Sequence, residues 1–246
     1  MTPLGITLSL RGAHGSMGRG SSGAPPPHQA PGPDHPRRGS GERASGPARI
    51  GPNALIQTAR ALEARRGRDE ARRLLRLGGM EILMDEDPQG MRDEREFLSL
   101  VTFLTGVLPS GELRAVLHDA GRRTGAYVLR NRIPAPVRLL VRPLPRRLRL
   151  RLLLGAIGRN AWTFAGSGSY HFEAGDRPVV SLRHGPPARQ VPTTEPLHAY
   201  YQGAIEELLR AMVAPATELE KTDAFGVNGR EGVDFRIRFP NDRNTR

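Results

Sequence analysis

Apolar residues recur at helical spacing from residue 51 to about residue 159, and strand-like alternation takes over afterwards. Pro52 suits the first position of a helix. Leu55, Ile56, Ala59 and Leu62 then lie on one face, and Gly67 breaks the run. Asp69 and Glu70 favour the start of a second helix, which carries Ala71, Leu74 and Leu75 and ends at Gly78-Gly79. A polar loop spans Asp85 to Gly90. A third helix presents Phe97, Val101, Leu104 and Leu108 before Pro109 stops it. Ser110 reads as an N-cap for a long helix reaching about Asn131, with Leu113, Val116, Leu117 and Ala120 on its apolar face. From Ala135 to Arg159 the pattern predicts two short amphipathic helices, broken at Pro143 and Pro145.

The pattern then changes. Trp162, Phe164, Tyr170 and Phe172 flank the stretch Gly166-Ser167-Gly168-Ser169, which predicts strand, bend, strand. A return strand follows over Arg177 to Arg183, and Gly185-Pro186-Pro187 opens a loop. Tyr201, Ile205, Leu208, Leu209 and Met212 mark a last helix, begun around Pro196. Asn228-Gly229 favours a two-residue hairpin turn. Counting outward from it, Phe225 faces Gly232 and Asp223 faces Asp234. Val233, Phe235, Ile237 and Phe239 then share the core face, while Lys221, Asp223, Asp234 and Arg236 share the other. A β-bulge would shift this register. The fold class is α+β, with helices packed on a small antiparallel sheet.

Composition divides the chain. Residues 1–46 are dominated by Gly, Pro, Ser, Ala, Arg and His, too little apolar surface to offset the entropy of ordering, so a disordered tail is expected. The alternation of Leu4, Ile6, Leu8 and Leu10 is too short and polar for a signal-peptide core. Residues 47–246 then form one domain, helical over 47–159 and strand–helix–hairpin over 160–240. No run of roughly 18 apolar residues predicts a transmembrane helix. Cysteine is absent, which excludes disulfides, thiolate metal sites and cysteine nucleophiles. The net charge of +12 raises a nucleic-acid reading, but no binding motif accompanies the arginines. Six arginines crowd into Arg138 to Arg151. Such a patch suits phosphates, anionic lipid headgroups or carboxylated ligands alike.

Several segments together resemble a known family. They are Ala48-Arg49-Ile50-Gly51-Pro52-Asn53-Ala54, Thr124-Gly125-Ala126-Tyr127-Val128-Leu129 with Arg132-Ile133-Pro134, Ala161 through Gly168, and Tyr200-Tyr201 through Leu209. Their joint order is similar to the bacteriochlorophyll 4-vinyl reductase family, the BchJ type, with its 4-vinyl reductase domain. The resemblance implies a ligand-binding α+β domain and a role in bacteriochlorophyll assembly with other enzymes of that pathway. It also implies a cytoplasmic location or one peripheral to the photosynthetic membrane, and by analogy a homodimer. The implied ligand is a magnesium tetrapyrrole, and the implied reaction is reduction of a divinyl (proto)chlorophyllide to its monovinyl form. One departure stands out: where many such domains carry cysteines, the matching positions hold His198, Asp223 and Asp234. These three could hold a hard or borderline metal. Alternatively the two carboxylates lie on a solvated face, neutralised by Lys221 and Arg236; we favour this second arrangement.

Vinyl reduction needs a hydride donor, which NADPH would supply if the chain is an enzyme. No cofactor site is evident. Gly155-Ala156-Ile157-Gly158 lacks a third glycine and is expected to precede a strand, and Gly15 to Gly23 falls in the tail. Binding a tetrapyrrole asks for less: an apolar pocket, aromatic rings and a guanidinium for the propionates. Trp162, Phe164, Tyr170 and Phe172 are candidates for stacking, Arg122, Arg123, Arg130 and Arg132 for the carboxylates, and His118, His171, His184 or His198 for the central metal. No catalytic residue is assigned. Two readings stay open, a reductase and a non-catalytic carrier that hands pigment to other enzymes.

Overall fold

The computed structural model describes residues 48–226 and 229–239, so the expected tail and the Asn228 half of the expected turn lie outside the described residues. Strand β1 (Arg49–Ile50) pairs antiparallel with β2 (Arg92–Asp93), a contact too short to be legible as alternation. Between them run α1 (Asn53–Arg66), α2 (Arg68–Leu77) and a 3-10 turn, Glu81–Met84. Gly67 separates the first two helices at φ +82°, a conformation that only glycine adopts without strain. Helix α3 (Glu94–Val107) is capped by Asp93, whose carboxylate accepts from the Arg95 amide at 2.9 Å. Helix α4 (Ser110–Asn131) begins one residue earlier than expected: Pro109 holds the cap position and Ser110 is already helical. The expected proline-broken pair appears as α5 (Ala135–Val141) and α6 (Arg146–Arg159).

Trp162 and Phe164 depart from expectation. They sit on a helical turn, α7 (Trp162–Ala165), rather than on a strand. The Gly51 amide donates to the Thr163 carbonyl at 2.7 Å, which ties this turn to β1. Gly166, at φ +56°, then reverses the chain into β3 (Ser169–Glu173). The reversal is clasped by Glu94, which is buried: its carboxylate accepts from the Ser167 amide at 2.7 Å and the Ser167 hydroxyl at 2.6 Å. Replacing Glu94 with Ala strands both donors, so a loss of about 2 kcal/mol in urea unfolding is expected.

Strand β4 (Val179–Arg183) leads through α8 (Pro186–Arg189), a short helix where a loop was expected, to α9 (Glu195–Met212). Strands β5 (Glu218–Phe225) and β6 (Gly232–Arg238) complete one antiparallel sheet in the order β3-β4-β6-β5. A single hydrophobic core joins α1 to α4, α6 and α9 with the inner face of the sheet: Val180, Leu182, Leu219, Val233, Phe235 and Ile237. At its centre α4 and α9 cross so closely that a Cβ on Gly121 would lie 2.0 Å from the Tyr200 carbonyl oxygen.

The expected hairpin register holds near its tip, with Asp223 opposite Asp234 and Phe225 opposite Gly232. The paired strands end at Phe225 and Gly232, and the expected turn beyond them lies partly outside the described residues. Beyond Asp223 a bulge shifts the pairing by one, so Lys221 meets Phe235 rather than Arg236 and Leu219 meets Ile237. Without the bulge Glu220 would face the core and Leu219 the solvent. The bulge therefore follows from burial of Leu219, and it also brings Lys221 to the start of α9, where its ammonium pairs with Glu195.

Candidate functional site

Helix α6 and strand β3 frame an open cleft of about 430 Å³, lined by Gly155, Gly158, Arg159, Tyr170, His171 and Phe172. Gly155 and Gly158 are three residues apart, so they share one helix face and leave it bare of side chains. A Cβ on Gly158 would sit 3.4 Å from the Tyr170 ring, and one on Gly155 would meet nothing closer than the Arg159 guanidinium at 3.8 Å. The opposite wall is aromatic. Tyr170 and Phe172 alternate onto the same face of β3, their rings 6.2 Å apart. Phe164 backs Tyr170 edge-on at 6.1 Å and links it to Tyr201 in the core. Phe172 remains partly exposed at the mouth.

Tyr170 carries an unusual feature. Its hydroxyl is buried and has no hydrogen-bond partner among the described residues. Burial pushes the phenol above its ordinary range, so it stays a neutral donor at any physiological pH. Arg159 supplies an exposed guanidinium at the end of α6. His171 points to the other side of the sheet, by the alternation that puts Tyr170 and Phe172 inward. The cleft thus offers aromatic surface and one cation, with the Tyr170 hydroxyl sealed behind it, a set suited to a flat, partly apolar, acidic ligand.

Of the residues singled out from the sequence, Tyr170, His171 and Phe172 line this cleft, and Phe164 lies behind Tyr170. Trp162 is 55% exposed on α7 and outside the lining. His118 and Arg122 face α9 instead: the imidazole lies 3.3 Å from Glu206, and the guanidinium 3.3 Å from Glu207. Arg123 pairs with Asp119 on its own helix at 2.9 Å. Glu206 is buried and also accepts from the Leu219 amide, fixing the start of β5. Burial pushes its carboxyl up, but the bonds from His118 and Leu219 outweigh this and hold it below the usual range. Arg159, Gly155 and Gly158 were not among the residues singled out. The detectable signal was two glycines at i, i+3 in a helix, which the search for a dinucleotide turn set aside. That segment lies inside α6 and is not followed directly by a strand.

The suggested metal trio does not assemble. Asp234 is engaged by Arg183 at 2.9 Å, and His198 turns inward to His184. Among the described residues no group of three or more His, Asp and Glu could hold a metal ion. His184 and His198 instead form a buried stacked pair, their Nε2 atoms 3.0 Å apart. Glu195 can only accept from His198 Nδ1, so His198 carries its proton there and His184 donates from Nε2.

A second cleft, about 340 Å³, is lined by Ala59, Arg60, Glu63, Asp85, Glu86 and Asp87 among others. Its acidic wall would repel a carboxylated ligand.

No family model matches the chain. A solved structure, described as probing the function of heme distortion in the H-NOX family, shares the fold: TM-score 0.50, 13% identity, 76% of this chain and 94% of that one. Two curated proteins are closer in sequence, each named bacteriochlorophyll synthase 23 kDa chain. The one from Rhodobacter capsulatus is 34% identical over 182 residues, covering 74% of this chain and 83% of that protein. The one from Cereibacter sphaeroides is 34% identical over 180 residues, covering 72% and 86%. At this identity and coverage, the chain belongs to the bacteriochlorophyll synthase 23 kDa chain family.

Proposed function

We propose that the chain acts in bacteriochlorophyll biosynthesis as a carrier, binding a magnesium tetrapyrrole intermediate in the α6–β3 cleft and presenting it to other enzymes of the pathway. The observation that carries this reading is the cleft itself. Its glycine-flattened wall faces Tyr170 and Phe172, and its volume falls within the roughly 300–1,000 Å³ of small-molecule sites. The macrocycle rests at the open mouth of the cleft, on Phe172 and the bare Gly155 turn of α6, with Arg159 on a carboxylate. The H-NOX structure of the same fold was studied for heme, itself a tetrapyrrole, which is compatible with this use of the fold. The relatives' names support the pathway.

The alternative is a vinyl reductase. Those names speak of a synthase chain, not of a vinyl reductase. The four-stranded sheet is antiparallel throughout, so its strands offer no strand, glycine turn and crossover helix to seat a dinucleotide. The reading of the site therefore stops at binding, with any hydride delivered by a separate protein. An absorbance scan tests the choice. Pure full-length protein mixed with divinyl protochlorophyllide should shift the pigment's bands, and adding NADPH should yield no monovinyl product. Sustained conversion by the pure protein with NADPH alone would restore the reductase.

A further inference from the structure

We propose that α5 and the outer row of α6 form a docking element for an anionic lipid bilayer. The lipid face does not depend on pigment binding, although its α6 row runs on into the helix face that carries Gly155 and Arg159. Helix α5 contains no buried residue. Leu139 and Leu140 are 69% and 73% exposed, and Val137 stands out beside them. Leu148 and Leu152, four apart on α6, are exposed as well. A run of bare leucines this dense calls for a partner.

Charge selects that partner. Residues 120–172 contain eleven arginines and no Asp or Glu. Arg138 on α5 and Arg142 at its C-cap lie one turn apart, and Arg151 flanks the leucine row of α6. None of these three has a carboxylate partner among the described residues. Arg147, in the same row, pairs across exposed surface with Asp176 at 2.9 Å, a contact worth little in water. The partner must therefore be both apolar and anionic over a short distance. A bilayer rich in acidic headgroups meets this demand: leucines enter the acyl boundary while guanidiniums extend along their stems to the phosphates. Nucleic acid would use the arginines but not the leucines, and no aromatic ring interleaves with them to stack bases. A rigid protein groove suits α5 poorly, because Val137, Leu139 and Leu140 project from more than one side of a seven-residue helix. No helix among the described residues is long and apolar enough to cross a membrane, so the contact proposed lies on the surface.

Flotation of the full chain with vesicles tests the idea, using phosphatidylcholine alone and phosphatidylcholine with about one-third phosphatidylglycerol. The expected result is at least about tenfold stronger partition onto the anionic vesicles, weakened by salt. The double variants L139E/L140E and R138E/R142E should each lower it by about tenfold or more, with unchanged melting temperature and unchanged oligomeric state. Equal partition onto both vesicles, or none, overturns the proposal. So does full retention of binding by the leucine variant, particularly if duplex DNA competes for the same arginines. A melting temperature that falls in the leucine variant, or a dimer that it dissociates, would assign the face to the fold or to a second copy.

Discussion

Lowering the pH from 7 to 5 should cost the protein about 3 kcal/mol of stability, centred on the His184–His198 pair. Burial pushes His184 from its ordinary 6.5 down to about 3, helped by the neighbouring imidazole and by Arg189 and Arg183. Burial likewise takes His198 to about 4; Lys221 adds to the effect and Glu195 opposes it. Both folded-state values lie below the unfolded one, so the unfolded chain binds more protons between them. Stability is thus complete above pH 6.5 and lost as the pH falls towards 4. The low-pKa carboxylates of the surface, such as Glu81 at about 2, contribute only at more acid pH. Urea unfolding at both pH values checks this, and His198→Gln should roughly halve the difference, because His184 still titrates. An unchanged midpoint in the native protein would contradict the neutral, buried pair.

The second large effect belongs to the helix crossing. In a helix interior Gly→Ala ordinarily gains about 0.5–1 kcal/mol. At Gly203 the new Cβ would lie 2.2 Å from the His118 carbonyl oxygen, a rigid backbone atom. The mirrored contact at Gly121 is equally tight, and Gly125 meets the Ala204 carbonyl at 2.7 Å. Helices α4 and α9 must separate, which reopens the core around Phe97 and Tyr200, whose rings lie 5.1 Å apart. Overpacking costs about 1–3 kcal/mol and here exceeds the propensity gain, so Gly203→Ala should destabilise by about 2 kcal/mol net. Gly106→Ala is the control: nothing lies within 4 Å, and it should be neutral or mildly stabilising. Equal melting temperatures for the two variants would refute the close crossing.

Helices were the legible part of this chain because their signal is local. Leu55, Ile56, Ala59 and Leu62 repeat within two turns, and prolines punctuate α5 and α6. Features that arise from tertiary demand were not legible. The bulge before Asp223 exists because Leu219 must reach Ile237, a requirement set by the core. Trp162 and Phe164 have strand propensity, yet Gly51 and Glu94, distant in sequence, hold them on a turn. The His184–His198 pair joins the end of β4 to α9 and left no spacing signal. The aromatic half of the site was visible in Phe164, Tyr170 and Phe172. Its glycine half was noticed as Gly155 and Gly158 but judged against the wrong motif. His118, Arg122 and Arg123 have the right chemistry for a pigment, but their bonds with Glu206, Glu207 and Asp119 show that residue type alone does not place a side chain in a site.

Binding at the α6–β3 cleft is the central claim, and one titration addresses it. Divinyl protochlorophyllide is added to the native full chain and to Gly155→Leu, with a thermal melt of each. A Cβ at residue 155 meets only the Arg159 guanidinium, at 3.8 Å, and leucine favours the helix by about 0.5–1 kcal/mol, so the variant should melt at the same temperature or higher. Its pigment affinity should fall by about tenfold or more, at least about 1.4 kcal/mol. Undiminished affinity in a well-folded Gly155→Leu protein would contradict the assignment of the pigment to this cleft.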